Sequence, residues 1–180
     1  MSDFDIAVNF VLKNEGGLEE NSKDPGGITN YGISLRFLKS TNNLKYDFNG
    51  DGLLDEREIK ELTEENAKII YKNEFWNHAH FDKIINQSLC NYLFDMACNQ
   101  GLAVAIKSCQ RALWALNKQR NIVVDDGVLG DKTLDEINHG GMVLIPALMA
   151  ERANYYRMLV LINADLKEDL DGWLNRAYRI

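Results

Sequence analysis

Apolar residues fall at Phe4, Ala7, Val8, Val11 and Leu12, spaced by three and four positions. That is the stripe of an amphipathic helix with one buried face. Ser2 or Asp3 can cap its start. Gly16-Gly17 is expected to stop it, because glycine accepts the left-handed conformation that ends many helices. Residues 21–32 read Asn-Ser-Lys-Asp-Pro-Gly-Gly-Ile-Thr-Asn-Tyr-Gly, which is turn chemistry with one short strand pair around 28–33. A helix over 34–40 follows, then an acidic loop at 47–58.

Helical spacing returns over 63–78, carried by Ala67, Ile70, Tyr71 and Glu74. It continues over 87–99, burying Leu89, Cys90, Leu93, Phe94 and Ala97, and over 103–118, with Ile106, Cys109, Leu113 and Leu116 on one side. Gly101 separates the last two. Residues 121–130 read as a loop, and Asp131 can cap a short helix reaching 137. Gly140-Gly141 is a break. A long helix over 143–162 tolerates Pro146 because it falls in the first turn. Residues 166–178 read as one or two short helices. The pattern predicts a mainly α fold with a small β or loop region near 16–33. No repeat or low-complexity linker is visible, so a single compact body is expected.

Composition narrows the function classes. With 20 Lys+Arg against 27 Asp+Glu, the net charge is -7, which disfavours non-specific binding to nucleic acid or anionic membrane. No apolar run approaches the ~20 residues of a spanning helix. The first residues, Met1-Ser2-Asp3-Phe4-Asp5, lack a basic segment of the secretory type, so synthesis in a cytoplasm is expected, with export by some other device. Cys90, Cys98 and Cys109 are too few and too odd in number for a disulfide framework, and their apolar helical flanks predict buried free thiols.

Glu15 continues the apolar stripe of the first helix. A carboxyl on an apolar face is desolvated, which favours its protonated form, as a general acid requires. The two glycines after it leave room for a substrate. Asp24 lies in a polar turn where it stays ionised, and Thr29 follows on the expected strand. Two carboxyl groups in contrasting environments are the minimum equipment for cleaving a glycosidic bond. On periodicity alone, a helix-terminal glutamate and a turn-forming aspartate before Pro25 explain the same residues.

The run Asn14-Glu15-Gly16-Gly17, followed by Asp24-Pro25-Gly26-Gly27-Ile28-Thr29-Asn30-Tyr31-Gly32-Ile33-Ser34, resembles the signature of glycoside hydrolase family 108, the phage and bacterial N-acetylmuramidases. The order Glu, Asp, Thr is also similar to lysozymes of the T4 phage type, with one residue fewer between Asp and Thr. Leu62-Thr63-Glu64-Glu65-Asn66-Ala67, Ile70-Tyr71 and Phe75-Trp76 are similar to the family's next helix. Phe94-Asp95-Met96-Ala97-Cys98-Asn99-Gln100-Gly101 resembles the start of a peptidoglycan-binding module. Cys109-Gln110-Arg111-Ala112-Leu113, Asp126-Gly127-Val128-Leu129-Gly130-Asp131-Lys132-Thr133-Leu134 and Gly172-Trp173-Leu174-Asn175-Arg176 continue that pattern. Only residues 40–60 lie outside the resemblance.

The resemblance implies a lysozyme-like α+β body. Residues 1–88 would be its catalytic part and 89–180 a helical peptidoglycan-binding part, packed as one unit. It implies hydrolysis of the β-1,4 bond between N-acetylmuramic acid and N-acetylglucosamine. Glu15 would be the general acid, Asp24 and Thr29 would manage the water or the developing charge, and Tyr31 is a candidate to line the glycan cleft. Peptidoglycan is the expected partner, with no nucleic acid, no membrane insertion and a monomeric state. A phage endolysin released through a holin fits these expectations, as does a bacterial effector.

Residues 47–58 read Asp-Phe-Asn-Gly-Asp-Gly-Leu-Leu-Asp-Glu-Arg-Glu. Positions 1, 3, 5, 9 and 12 of an EF-hand loop are then Asp47, Asn49, Asp51, Asp55 and Glu58, with Gly52 at the sharp turn and the Leu53 carbonyl as a further ligand. Leu54 is apolar, as a core-facing residue there should be. The spacing predicts one Ca2+ site, although a solvated acidic turn capping a helix near Asp55 reads the same residues. Sensor proteins usually pair such loops, and this chain has one. Calcium is expected to rigidify the lobe facing the cleft. A calcium-dependent wall-binding protein without turnover is the alternative function. His78 and His80 lack partners at ligand spacing for zinc, His139 reads as a helix-end residue, Trp76, Trp114 and Trp173 read as core, and Asp125-Asp126-Gly127 reads as a turn.

Overall fold

The computed structural model describes residues 1–19, 27–116 and 122–179. Its helices are α1 (Phe4–Asn14), α2 (Leu35–Ser40), α3 (Glu56–Lys60), α4 (Glu64–Tyr71), α5 (Gln87–Gln100), α6 (Leu102–Leu116), α7 (Asp131–Gly140), α8 (Ile145–Ile162) and α9 (Leu170–Ala177). Strands β1 (Thr29–Asn30) and β2 (Ile33–Ser34) pair antiparallel, Thr29 opposite Ser34 and Asn30 opposite Ile33. The mainly α architecture with a small β element is therefore as the pattern predicts. Among the described residues, no helix is long and apolar enough to cross a membrane.

α5 is the axis of the body. Leu89, Cys90, Tyr92, Leu93, Phe94, Asp95, Met96 and Ala97 are all buried, so neighbours cover it on most sides. α1 lays Ala7, Val8 and Val11 against it, and α6 and α8 cover it further along the chain. The apolar core runs without a break from Ala7 to Leu148, so residues on either side of position 88 share it. A smaller cluster of Ala153, Tyr156 and Ala177 seals α8 to α9. Tyr92 on α5 donates its hydroxyl to the Ala177 carbonyl, which fastens the end of α9 to the axis.

Several local expectations are corrected. α1 ends because Glu15 turns to extended backbone, φ -90 and ψ 145. Gly16 and Gly17 are not among the residues with positive φ, so no left-handed glycine is needed there. The cap of α7 is Gly130, and Asp131 is its first helical residue, where its charge faces the positive end of the helix dipole. The helix expected over 63–78 is α-helical only to Tyr71 and continues as a π-helix over Lys72–Asn77. The wider turn brings both Phe75 and Trp76 into the core. Phe75 packs on Phe37, and Trp76 packs among Phe4, Phe81 and Phe94. Cys90 and Cys109 are buried free thiols as expected, while Cys98 is partly exposed.

Candidate active site

Glu15 sits where α1 stops. Its backbone N–H still donates to Val11, so the carboxyl leaves from a fixed point on the helix end. Over it lies the turn between β1 and β2. Tyr31 and Gly32 both have positive φ, 49 and 76, the pair of left-handed residues that a tight two-residue hairpin demands. A Cβ added at Gly32 would lie 2.5 Å from Tyr71 Oη and 2.8 Å from Glu15 Cδ. Only glycine lets the backbone approach the carboxyl this closely. Tyr71, at the end of α4, donates its hydroxyl to the Tyr31 carbonyl at 3.0 Å. Burial pushes this phenol well above its ordinary value, so it remains a donor at neutral pH.

The sequence places Glu15 on an apolar face. The structure instead gives it a cation. Arg176 Nη2 on α9 donates to Glu15 Oε1 at 2.5 Å and to Asp95 Oδ1 at 2.6 Å, and its Nε donates to Asp95 Oδ2 at 3.3 Å. Arg152 Nη2, fully buried on α8, lies 2.7 Å from Asp95 Oδ2. Its Nε donates to Tyr156 Oη, which donates to Asn99. Two guanidinium groups therefore face two carboxylates. Burial works against the charge on Arg176, but Asp95 and Glu15 outweigh it and raise the guanidinium above its usual range. Glu15 keeps 16% of its side-chain surface open to solvent, against 1% for Asp95. Glu15 and Arg176, which keeps 15% of its own side chain open, are the charged members of the cluster that a substrate can reach.

The other expected residues are placed less completely. Asp24 lies outside the described residues. Thr29 opens β1, exchanges backbone hydrogen bonds with Glu19, and turns its hydroxyl to the Gly27 carbonyl at 3.5 Å. Tyr31 is half-buried in the turn. Arg176, Asp95, Arg152 and Tyr71 carry no role in the sequence reading, though three of them fall inside quoted motif blocks. A cavity lined by Leu113, Leu116, Ile122, Glu136, His139 and Gly140 shares no residue with this cluster.

The loop at 47–58 folds around its own side chains. Asp47 Oδ1 accepts from the N–H groups of Gly50 and Asp51, and Oδ2 from that of Gly52. Asn49 accepts from Asp51 N, and Asp51 from Leu53 N. Asp55 caps α3, and Leu54 packs on the core. Leu53 is exposed. Glu58, 1% exposed, accepts from Phe48 N through Oε1, while Oε2 is buried without a hydrogen-bond partner. An unpartnered buried polar atom costs about 1–3 kcal/mol. Burial pushes the Glu58 carboxyl up, opposed by the N–H groups of Phe48 and Asn49, and the charges of Asp47 and Asp51 push it further. Arg57 Nη2 lies 2.7 Å from Asp51 Oδ2 and 3.1 Å from Asp55 Oδ2. Among the described residues, no three acidic, histidine or cysteine side chains converge as they would around an ion. The loop nevertheless holds several hard oxygen donors and the orphaned Glu58 oxygen in one segment, the donor type that calcium takes.

Comparison with known proteins bears on the whole chain. Residues 8–101 match the family model described as glycosyl hydrolase 108. Residues 104–178 match the model described as a predicted peptidoglycan domain. No curated protein matches the chain. Among solved structures, the chain is similar to SagA of Brucella abortus, with 27% identity and a TM-score of 0.70, over 97% of this chain and 92% of that one.

Proposed function

The chain belongs to the glycosyl hydrolase 108 family, and from that membership we propose that it cleaves the β-1,4 bond between N-acetylmuramic acid and N-acetylglucosamine, with Glu15 as general acid. It is a glycoside hydrolase of the cell-wall glycan, which the peptidoglycan domain over 104–178 supports. The observation that carries the residue assignment is the carboxyl of Glu15, held at the end of α1 beneath a glycine turn and still open to solvent.

In this reading Arg176 fixes the carboxyl through Oε1, leaving the second oxygen to carry the proton. The carboxyl gives its proton to the leaving sugar oxygen, and the carboxylate that remains stays paired with Arg176. Asp24 and Thr29, assigned by family resemblance, activate the water or support the positive charge developing on the sugar. Tyr31, in the turn before Gly32, would contact the glycan, an assignment that rests on the family resemblance. Asp47, Asn49, Asp51, the Leu53 carbonyl, Asp55 and Glu58 would hold one Ca2+, which supplies the positive charge that their crowded oxygens need.

Digestion of purified peptidoglycan, with mass spectrometry of the borohydride-reduced fragments, tests this. Wild type is expected to release fragments ending in reduced muramic acid. Glu15→Gln is expected to lose about 10²–10⁴-fold in rate, the usual contribution of a general acid. Fragments ending in reduced glucosamine would move the cleaved bond, and an active Glu15→Gln would remove the residue from its role.

A further inference from the structure

We propose that loop 47–58 is a calcium switch in which Arg57 is a tethered competitor of the ion, and that α3 relays the bound state to the hairpin over Glu15. The binding half stands by itself. The regulatory half rests on the reading of Glu15 given above.

Glu58 is the first observation. Its carboxyl is buried over the loop, one oxygen taken by Phe48 N and the other without a partner. A cation among Asp47, Asn49 and Asp51 would satisfy that oxygen and balance the charge of the surrounding carboxylates, which a neutral donor would not. Arg57 is the second. It follows the Asp51 and Asp55 side chains on the outside of the loop and neutralises both. Asp51 has one oxygen on Leu53 N and the other on Arg57, so an ion that takes the second oxygen displaces Arg57 to solvent. Arg57 itself is largely exposed, which makes that release easy.

The relay runs through α3. Ile59 follows Glu58 directly and is fully buried. Its carbonyl accepts from Asn30 Nδ2 at 3.0 Å, and the Leu62 carbonyl accepts from the same nitrogen at 3.3 Å. Asn30 is buried and immediately precedes the Tyr31–Gly32 turn that presses on Glu15. The entry side is anchored as well, since Tyr46 is fully buried and donates its hydroxyl to Glu74. Ordering the loop thus orders α3, and α3 holds the strand that positions the turn. Calcium is expected to tighten the turn over the acid and raise hydrolysis.

The test uses the full chain, stripped with EDTA and titrated with CaCl2 by calorimetry and thermal denaturation. Wild type is expected to bind one Ca2+ more tightly than about 1 mM, the weak end of such loops, with a raised Tm and no comparable response to Mg2+. Glu58→Gln is expected to weaken binding at least ~10-fold, because one of the two oxygens becomes an amide nitrogen. Arg57→Gln is expected to tighten it by roughly 3–10-fold, because the competing charge is gone. No binding by wild type, or equal binding by Glu58→Gln, overturns the site. Arg57→Gln binding no more tightly than wild type overturns the competition. The relay is read by amide exchange of residues 28–34, which calcium is expected to slow in wild type but not in Asn30→Ala, even though that variant still binds the ion. Unchanged exchange in wild type overturns the relay whether or not peptidoglycan is cleaved. Slowed exchange with no cleavage in either state overturns the Glu15 reading and leaves the switch standing.

Discussion

Gly32 meets two requirements that no other side chain meets together. Its φ of 76 lies where an L-residue costs about 1–2 kcal/mol, and its missing Cβ is the space in which Glu15 and Tyr71 sit. Gly32→Ala is therefore expected to lose about 2 kcal/mol or more in urea unfolding and to abolish hydrolysis by displacing the carboxyl. Tyr71→Phe keeps the ring and loses one hydrogen bond, about 1 kcal/mol. A Gly32→Ala protein with wild-type unfolding and turnover would show that the turn does not shape the site. The positions of Glu15 and Gly32 were legible from their motif blocks, not from the helical stripe, which Glu15 leaves as the cap of α1. The partner of Glu15 was not. Arg176 lies 161 positions along the chain, and no periodicity reports a contact of that span. The apolar environment expected for Glu15 failed for the same reason.

Elements were read best where their signals are local. The ends of α4 illustrate both sides. Thr63 caps it by accepting from Asn66 N at 3.2 Å, followed by Glu64 and Glu65 in the first turn, a start that a sequence announces. Its far end widens into a π-helix because Phe75 and Trp76 must both reach the core, which depends on Phe37, Phe4, Phe81 and Phe94 brought in from elsewhere. The acidic turn at 47–58 that caps α3 through Asp55 was legible because its residues are neighbours in the chain, while the hold of α3 on Asn30 was not. α4 also presents Tyr71 to the turn, so its cap bears on the site from a distance. Thr63→Ala is expected to lower stability by about 1 kcal/mol, with Thr63→Ser close to wild type. Urea midpoints at constant m-value check this, and equal midpoints for all three proteins would show that α4 is held by packing alone.

At the scale of the molecule, the two family-matched parts meet in one charged cluster. Asp95 belongs to the hydrolase match, while Arg152 and Arg176 belong to the peptidoglycan-domain match. Through these residues α5 joins α8 and α9, and Arg176 continues to Glu15 on α1. Two consequences follow from burial. Arg152 has no exposed surface, so removing Asp95 strands a cation in the core, a loss of about 3–5 kcal/mol. Replacing the stranded cation with an apolar side chain of similar length removes the penalty, because an ion pair and a well-packed apolar pair are near-equal in such sites. Asp95→Asn is thus expected to lose about 3 kcal/mol by urea unfolding, and Asp95→Asn with Arg152→Met to recover part of it. Hydrolysis is not expected to return with the stability, since Arg176 then lacks the second carboxylate that aims it at Glu15. Recovery of both together would mean that the cluster only holds the fold. Loss of turnover in a restabilised protein would mean that the C-terminal helices build the active site, and that a fragment ending near Gly101 could not hydrolyse peptidoglycan.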